Sequence, residues 1–246
     1  MSTPNDLPPG VKMTEIGPLP EEWQVVRLGE VVHFGRRAQI EKAAQPSIIP
    51  FVPMSLIPED SLYITKWELR EPQEIRSGIP VYEGDLLLAK ITPSLENGKQ
   101  GIIINLPNGW GFATTEVIPL RTLEGLIPEF LALYLKLPAI RKQLADKMEG
   151  TTGRQRLPKF VVETLPIPLP PLPEQQKIAR ILAAVDAKIA AEEGRRKALQ
   201  ELFRSLLHHL MTAMVRLPAE LVAKFEKQGR SLRDERRNPG KVTAAS

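Results

Sequence analysis

The segment from Pro173 to about Met214 constrains this chain more than any other, because its apolar residues recur at helical spacing along its whole length. Ile178, Leu182, Val185, Ile189, Leu199, Phe203, Leu206 and Leu210 alternate in steps of four and three once Glu192 and Arg196 are counted in register. A period of 3.5 residues keeps one narrow stripe facing a partner helix, so the spacing predicts a coiled coil instead of a helix lying on a globular core. At 1.5 Å per residue such a helix is roughly 60 Å long. Its centre is polar, with Glu192 and Arg196 on the seam and Gly194 between them. Polar seam residues weaken pairing but fix register and orientation. Three readings stand for this centre. In an antiparallel pair, Glu192 of one helix faces Arg196 of the other. On a solvated face, Glu192 with Arg196 and Glu193 with Lys197 are i,i+4 pairs worth a few tenths of a kcal/mol. The third is a hairpin broken at Gly194, although no turn residues surround it.

A chain of 246 residues has room for one large domain or two smaller ones beside that helix. Its 42% hydrophobic and 25% charged residues are those of an ordinary globular protein. No cysteine is present, which excludes disulfide and thiolate chemistry and makes a cytoplasmic setting the default expectation. No apolar run approaches the roughly 18 residues that span a bilayer, and Met1 to Val11 lacks a signal-peptide core. The net charge of +4 permits a polyanionic partner without requiring one.

Taken in order, residues 1–15 read as a loose leader, polar and proline-containing. A turn at Gly17-Pro18-Leu19-Pro20 precedes a strand over Gln24 to Leu28 and an apolar stretch at Val31 to Phe34. Further strands are predicted at Ile48 to Val52, around Gly84 to Ile91, at Gly101 to Ile104, at Gly111 to Thr115 and at Val117 to Leu120. Each is bounded by Gly, Pro or Asn, the punctuation of strands joined by irregular loops. Helix follows from Pro128, restarts at Pro138 and runs to about Met148. Residues Glu149 to Arg156 read as a glycine-bounded loop, and Leu157 to Leu165 as a short helix and turn. Prolines alternate with aliphatics from Leu165 to Pro173, so residues 166–172 are expected to form a stiff extended connector. The fold class is therefore α+β: a mixed α/β domain over 16–165, the connector, the helix over 173–214, and a basic tail over 215–246. In that tail, Arg216 to Gln228 reads as a short helix using Leu217, Leu221 and Phe225.

Two stretches carry a family resemblance. Ile16-Gly17-Pro18-Leu19-Pro20-Glu21-Glu22-Trp23, followed by Val26-Arg27-Leu28-Gly29-Glu30, resembles the start of a target recognition domain in the specificity subunits of type I restriction-modification systems. Ile167-Pro168-Leu169-Pro170-Pro171-Leu172-Pro173-Glu174-Gln175-Gln176-Lys177-Ile178 resembles the entry to the helical conserved region of the same subunits, and Gly84-Asp85-Leu86-Leu87 matches a smaller feature of their recognition domains. The resemblance implies a non-catalytic subunit that reads double-stranded DNA and docks methyltransferase subunits, with a translocase or nuclease subunit as a further partner. The usual member carries two recognition domains and two helical regions. One copy of each here implies a half-size form that dimerises through its helix and reads a palindromic bipartite site. Ala213 stands where a glycine is often found.

Sequence-specific readout needs donors and acceptors that reach base edges, with Lys and Arg on flanking phosphates. Thr151, Thr152, Arg154, Gln155 and Arg156 are the first candidates, the plainer alternative being a glycine-rich helix-to-helix turn with solvated arginines. The polar stretch from Lys90 to Gln100 is the second, with Lys90, Thr92, Ser94 and Lys99 preferred because Asn97-Gly98 is most simply a tight turn. Thr114 and Thr115 are placed beside it, and Arg36 and Arg37 are candidate phosphate grips.

Several chemistries lack their motifs. There is no Gly-x-x-x-x-Gly-Lys-Ser/Thr loop and no Gly-x-Gly-x-x-Gly after a strand. His33, His208 and His209 are the only histidines and show no His-Glu-x-x-His spacing, so no metal or other cofactor is expected. Asp186-Ala187-Lys188 has the form of a nuclease triplet but falls on the predicted helix. A protein-binding coiled-coil adaptor is the alternative function, and a small nuclease a distant third.

Overall fold

Short apolar runs separated by turn residues make strands in the first three quarters of the chain, and their alternation decides which layer each side chain enters. The computed structural model describes residues 7–35, 47–151 and 153–226. In chain order its strands are β1 (Val11–Thr14), β2 (Gly17–Pro20), β3 (Gln24–Arg27), β4 (Val32–Phe34), β5 (Ile49–Val52), β6 (Tyr63–Ile64), β7 (Glu68–Arg70), β8 (Ile79–Tyr82), β9 (Leu86–Ala89), β10 (Gln100–Ile103), β11 (Trp110–Ala113), β12 (Val117–Thr122), β13 (Glu149–Thr151), β14 (Arg154–Arg156) and β15 (Pro166–Leu169). The helices are α1 (Leu28–Val31), α2 (Pro128–Lys136), α3 (Pro138–Ala145), α4 (Lys159–Glu163) and α5 (Leu172–Met211). A mixed α/β domain followed by a long helix is thus what the sequence forms.

Two sheets stack within the domain. One has the order β4-β12-β9-β10-β6 and the other β7-β5-β11-β8. Strand β9 is buried on both faces, as its unbroken aliphatic run requires. Leu86 and Leu88 enter the larger core with Phe130 and Leu131 of α2, Leu144 of α3 and Val162 of α4, whereas Leu87 enters a second core with Val52, Val81 and Ala113 of the other sheet. The layers are therefore helices, five-stranded sheet and four-stranded sheet. The outer face of the last packs Ile49, Phe51 and Phe112 against Ile75. Each fully buried leucine contributes about 1.5–3 kcal/mol relative to exposure.

The Gly84-Asp85-Leu86-Leu87 motif has a physical cause. Gly84 sits at φ 83, a left-handed turn that favours glycine. Asp85, only 2% exposed, accepts the Tyr82 backbone N–H at 2.9 Å and a fork of Arg121 Nε and Nη2 at 2.8 and 3.0 Å. That ties the start of β9 to β12. The Arg121 guanidinium also lies 4.3 Å from the centre of the Tyr82 ring, and its hydrogen bonds to Asp85 hold it charged even more firmly than usual.

Three segments differ from their sequence reading. Within the expected leader, Val11–Thr14 pairs with Gly17–Pro20 as a hairpin. Residues 149–156 form the hairpin β13-β14 and not a loop. The expected connector is strand β15, paired antiparallel with β3 from Pro166↔Arg27 to Leu169↔Gln24, with Ile167 buried. Proline pairs only where its nitrogen faces away from the neighbouring strand. Alternation satisfies this at Pro166 and Pro168, and the Pro166 carbonyl instead accepts the Tyr134 hydroxyl at 3.3 Å.

The chain divides into two compact units, Met1–Ala183 and Ala184–Ser246. The first turns of α5 belong to the first unit, where Gln175 and Ala179 are buried. In the second unit α5 runs unbroken through Gly194, so the hairpin reading of its centre is corrected. Glu192 meets Arg195, three residues on, at 4.0 Å, instead of Arg196. Val185, Ile189, Leu199, Phe203 and Leu206 are all about half exposed or more, and Leu210 is 36% exposed. Residues 219–226 are helical, within the segment expected to be so. Among the described residues no helix is long and apolar enough to cross a membrane.

Candidate nucleic-acid interface

The hairpin β13-β14 is built from residues that give no apolar face, so its geometry rests on glycine and on its neighbours. Gly150 adopts φ 129 and Gly153 φ 79, and a Cβ on Gly150 would stand 2.6 Å from the Arg154 carbonyl oxygen. Only Gly fits there. Cross-strand pairing sets Glu149 opposite Arg156 and Thr151 opposite Arg154, so these four side chains share one face and Gln155 takes the other. Leu157, 2% exposed, anchors the base of the hairpin in the larger core.

Backbone hydrogen bonds then bring the two candidate stretches together. Leu157 donates to the Lys90 carbonyl at 2.7 Å, Thr92 donates to the Gln155 carbonyl at 3.2 Å, and Ile91 bridges Arg156. On the other side Lys90 donates to the Glu116 carbonyl at 3.0 Å, which sets the turn of Thr114 and Thr115 beside it. Sequence positions 90–92, 114–116 and 149–156 thus converge on one surface.

The candidates differ in what their side chains are free to do. Thr92 Oγ1 donates to Glu96 Oε1 at 2.9 Å, Ser94 is buried, and Lys99 Nζ donates to the Met54 carbonyl at 3.1 Å. The Thr114 hydroxyl accepts the Glu116 N–H at 3.3 Å. Thr151, Arg154 and Arg156 are exposed and Gln155 half-buried, and among the described residues none of the four side chains makes a hydrogen bond or ion pair. Arg36, Arg37 and Thr152 lie outside the described residues.

Lys90 is half-buried, and its side chain likewise makes no hydrogen bond or ion pair among the described residues. Burial first, and the neighbouring Arg156 guanidinium second, push its ammonium below the usual lysine range, with Glu116 opposing them. Together with Arg156 and Lys159 it lines a cavity of about 210 Å³. Lys159 is not among the residues singled out in the sequence, since its ion pair with Glu163 at 2.6 Å reads there as a solvated i,i+4 pair on a short helix.

The two stretches that carry the family resemblance also touch. Trp23 Nε1 donates to Glu174 Oε2 at 2.9 Å, and the indole meets Phe130 edge-on at 6.4 Å. Gln175, fully buried, donates through Nε2 to the Gly125 and Pro170 carbonyls at 2.8 Å each and accepts the Ile127 N–H at 3.0 Å. All of these bonds fix the entry to α5 on the first unit.

Known proteins resemble this chain in sequence and in fold. Residues 20–201 match the type I restriction modification DNA specificity domain. The EcoAI specificity subunit of Escherichia coli is 33% identical over 162 residues, 65% of this chain and 27% of that protein. A putative type I specificity subunit, MjaX of Methanocaldococcus jannaschii, is 27% identical over 208 residues, 82% of this chain and 48% of its own length. The chain therefore spans about half or less of these relatives. Among solved structures, the HsdS subunit of Thermoanaerobacter tengcongensis superposes with a TM-score of 0.64 at 24% identity, covering 82% of this chain and 51% of that one. A further structure, described as underlying complex assembly and conformational transition of the type I restriction-modification system, gives 0.61 at 27% identity, covering 82% and 53%. With the family match extending over most of the chain, from Pro20 through Trp23 and the proline-rich entry and along α5, this protein belongs to the type I restriction-modification DNA specificity domain family.

Proposed function

We propose that this chain is a non-catalytic DNA specificity subunit acting in the cytoplasm, in which Met1–Ala183 reads one half of a bipartite duplex target and α5 pairs with a second copy and docks methyltransferase subunits. A translocase or nuclease subunit joins through the same assembly. The observation that carries the reading is the hairpin β13-β14, which presents Thr151 and Arg154 on one face and Gln155 on the other, with no side-chain hydrogen bond or ion pair among the described residues. Arg matches the two acceptors of guanine and Gln the acceptor and donor of adenine, and each such pairing discriminates by about 1–3 kcal/mol. The exposed seam of α5 supports pairing, since apolar stripes of this width are covered in coiled coils.

Binding of the chain with its methyltransferase partner to cognate and scrambled duplexes tests this. Arg154→Ala should weaken cognate binding by about 1–3 kcal/mol and relax preference at one base position. Wild-type affinity that does not fall with rising salt would instead fit a protein-binding adaptor, because phosphate contacts make log K drop with log salt.

A further inference from the structure

The cavity between the base of the β13-β14 hairpin and strands β4, β8 and β12 has a lining that is chemically one-sided. Its polar side chains are Lys90, Arg156 and Lys159, and the rest of its wall is apolar, including Ile79, Pro119 and Leu157. Those side chains offer hydrogen-bond donors and no acceptor. Adenine and cytosine edges in the major groove carry donors that such a lining cannot pair, and guanine and thymine edges offer acceptors but no charge. A phosphate presents only acceptors and negative charge.

The charges here are only partly compensated, by the Glu116 carboxylate that opposes the Arg156 guanidinium at Lys90. Arg121 has Asp85, Lys159 has Glu163 and Lys142 has Asp146, whereas Lys90 and Arg156 have no ion pair among the described residues. Glu149 lies directly across the hairpin from Arg156 without forming one. Two like charges held together in a partly desolvated place are unfavourable without an anion, and burial strengthens their attraction for one. The cavity, at about 210 Å³, has room for an anion with some of its water, each water taking roughly 30 Å³.

We propose that this pocket grips a single backbone phosphate of the bound duplex through Lys90 and Arg156, with Lys159 on its wall, and so sets the register in which Arg154 and Gln155 meet the bases. The assignment rests on the DNA-reading function above and divides the hairpin's two arginines by role. Arg154 specifies; Arg156 positions.

The test uses the full chain with its methyltransferase partner, measured on cognate and scrambled duplexes across a salt series. Lys90→Met and Arg156→Gln should each lose affinity by the same factor on both duplexes, leave the cognate preference unchanged, and make the slope of log K against log salt shallower, by about 0.9 when the two are combined and the one phosphate contact is gone. Lys90→Met removes no side-chain hydrogen bond or ion pair among the described residues, so the fold is expected to stand. A loss of cognate preference in Arg156→Gln would make it a base reader and overturn the proposal. So would an unchanged salt slope, or variants that fail to assemble with methyltransferase while binding DNA normally, which would assign the pocket to an acidic side chain of that partner. Titration of wild type with inorganic phosphate, followed through the Lys90 ammonium resonance, separates the two sources of phosphate. A response at Lys90 in a protein with no affinity for any duplex would sink the DNA-reading function and the duplex phosphate together, and leave a free-anion site. Steep salt dependence unaffected by either substitution would sink the pocket alone.

Discussion

Asp85 illustrates how one buried carboxylate organises a neighbourhood. Its two oxygens hold the Tyr82 N–H and the Arg121 fork, so Asp85→Ala strands a backbone donor at the turn and a guanidinium that is 45% exposed. Water relieves the arginine but not the turn, which places the expected cost at about 2–3 kcal/mol and not at the larger values for a fully buried pair. Urea unfolding of Asp85→Ala checks this, and a loss below about 0.5 kcal/mol, the range of ordinary surface changes, would show that the pair is incidental. Ala213 is the converse case. It has φ 56 just beyond the end of α5, a left-handed position that penalises any Cβ by roughly 1–2 kcal/mol. Ala213→Gly should therefore raise the melting temperature of the second unit. The Ala213 N–H donates to the Leu210 carbonyl at 3.3 Å, so the turn itself survives the change. A lower melting temperature would mean that glycine's added freedom in the unfolded chain outweighs the relief.

Among the elements, the junction of β3, β15 and the first turns of α5 is where the first unit fastens the helix. Gln175→Ala removes three hydrogen bonds from a fully buried site and leaves the Ile127 N–H and the Gly125 and Pro170 carbonyls unpaired. The expected loss is about 3 kcal/mol, accompanied by faster amide exchange at Ile127 and along the start of α5. Exchange unchanged at both places would refute the fastening role. This junction also marks what a reader of sequence meets easily and what is hidden. Strands β5, β9, β10 and β12 announce themselves through aliphatic runs closed by Gly, Pro or Asn, and α2 and α3 through proline at the first helical position. Strand β15 hides because alternating proline argues against pairing until its edge partner β3 is known. The hairpin β13-β14 hides because Arg-Gln-Arg has no apolar alternation, its strands being held by Gly150, Gly153 and backbone bonds to residues 90–92. The candidate residues of the hairpin could be named by type alone, Arg, Gln and Thr beside glycine. That Lys90 and Lys159 meet Arg156 was not legible, because their proximity arises from tertiary bonds alone.

For the molecule as a whole, the proposed function, with the exposed apolar seam of α5 for pairing and the first unit as reader, calls for one assembly. Two copies paired along α5 present two identical reading surfaces, and identical surfaces related by a two-fold axis select identical half-sites in inverted order. Replacing Leu182 and Leu206 with lysine places charges on both halves of the seam, on side chains that are 39% and 48% exposed in the single chain, so the fold of each copy tolerates them. Pairing does not, because each lysine would lie against the partner's apolar positions. Sedimentation should show monomers for the double variant and dimers for wild type. On DNA, the variant should retain the affinity of one reading surface for a single half-site. It should lose the added affinity that wild type gains when two half-sites are correctly spaced, because that gain comes from linkage and not from new contacts. A variant that remains dimeric would move the interface away from this seam. A monomeric variant that still prefers the paired site would mean that another subunit, and not α5, holds the two halves of the target together.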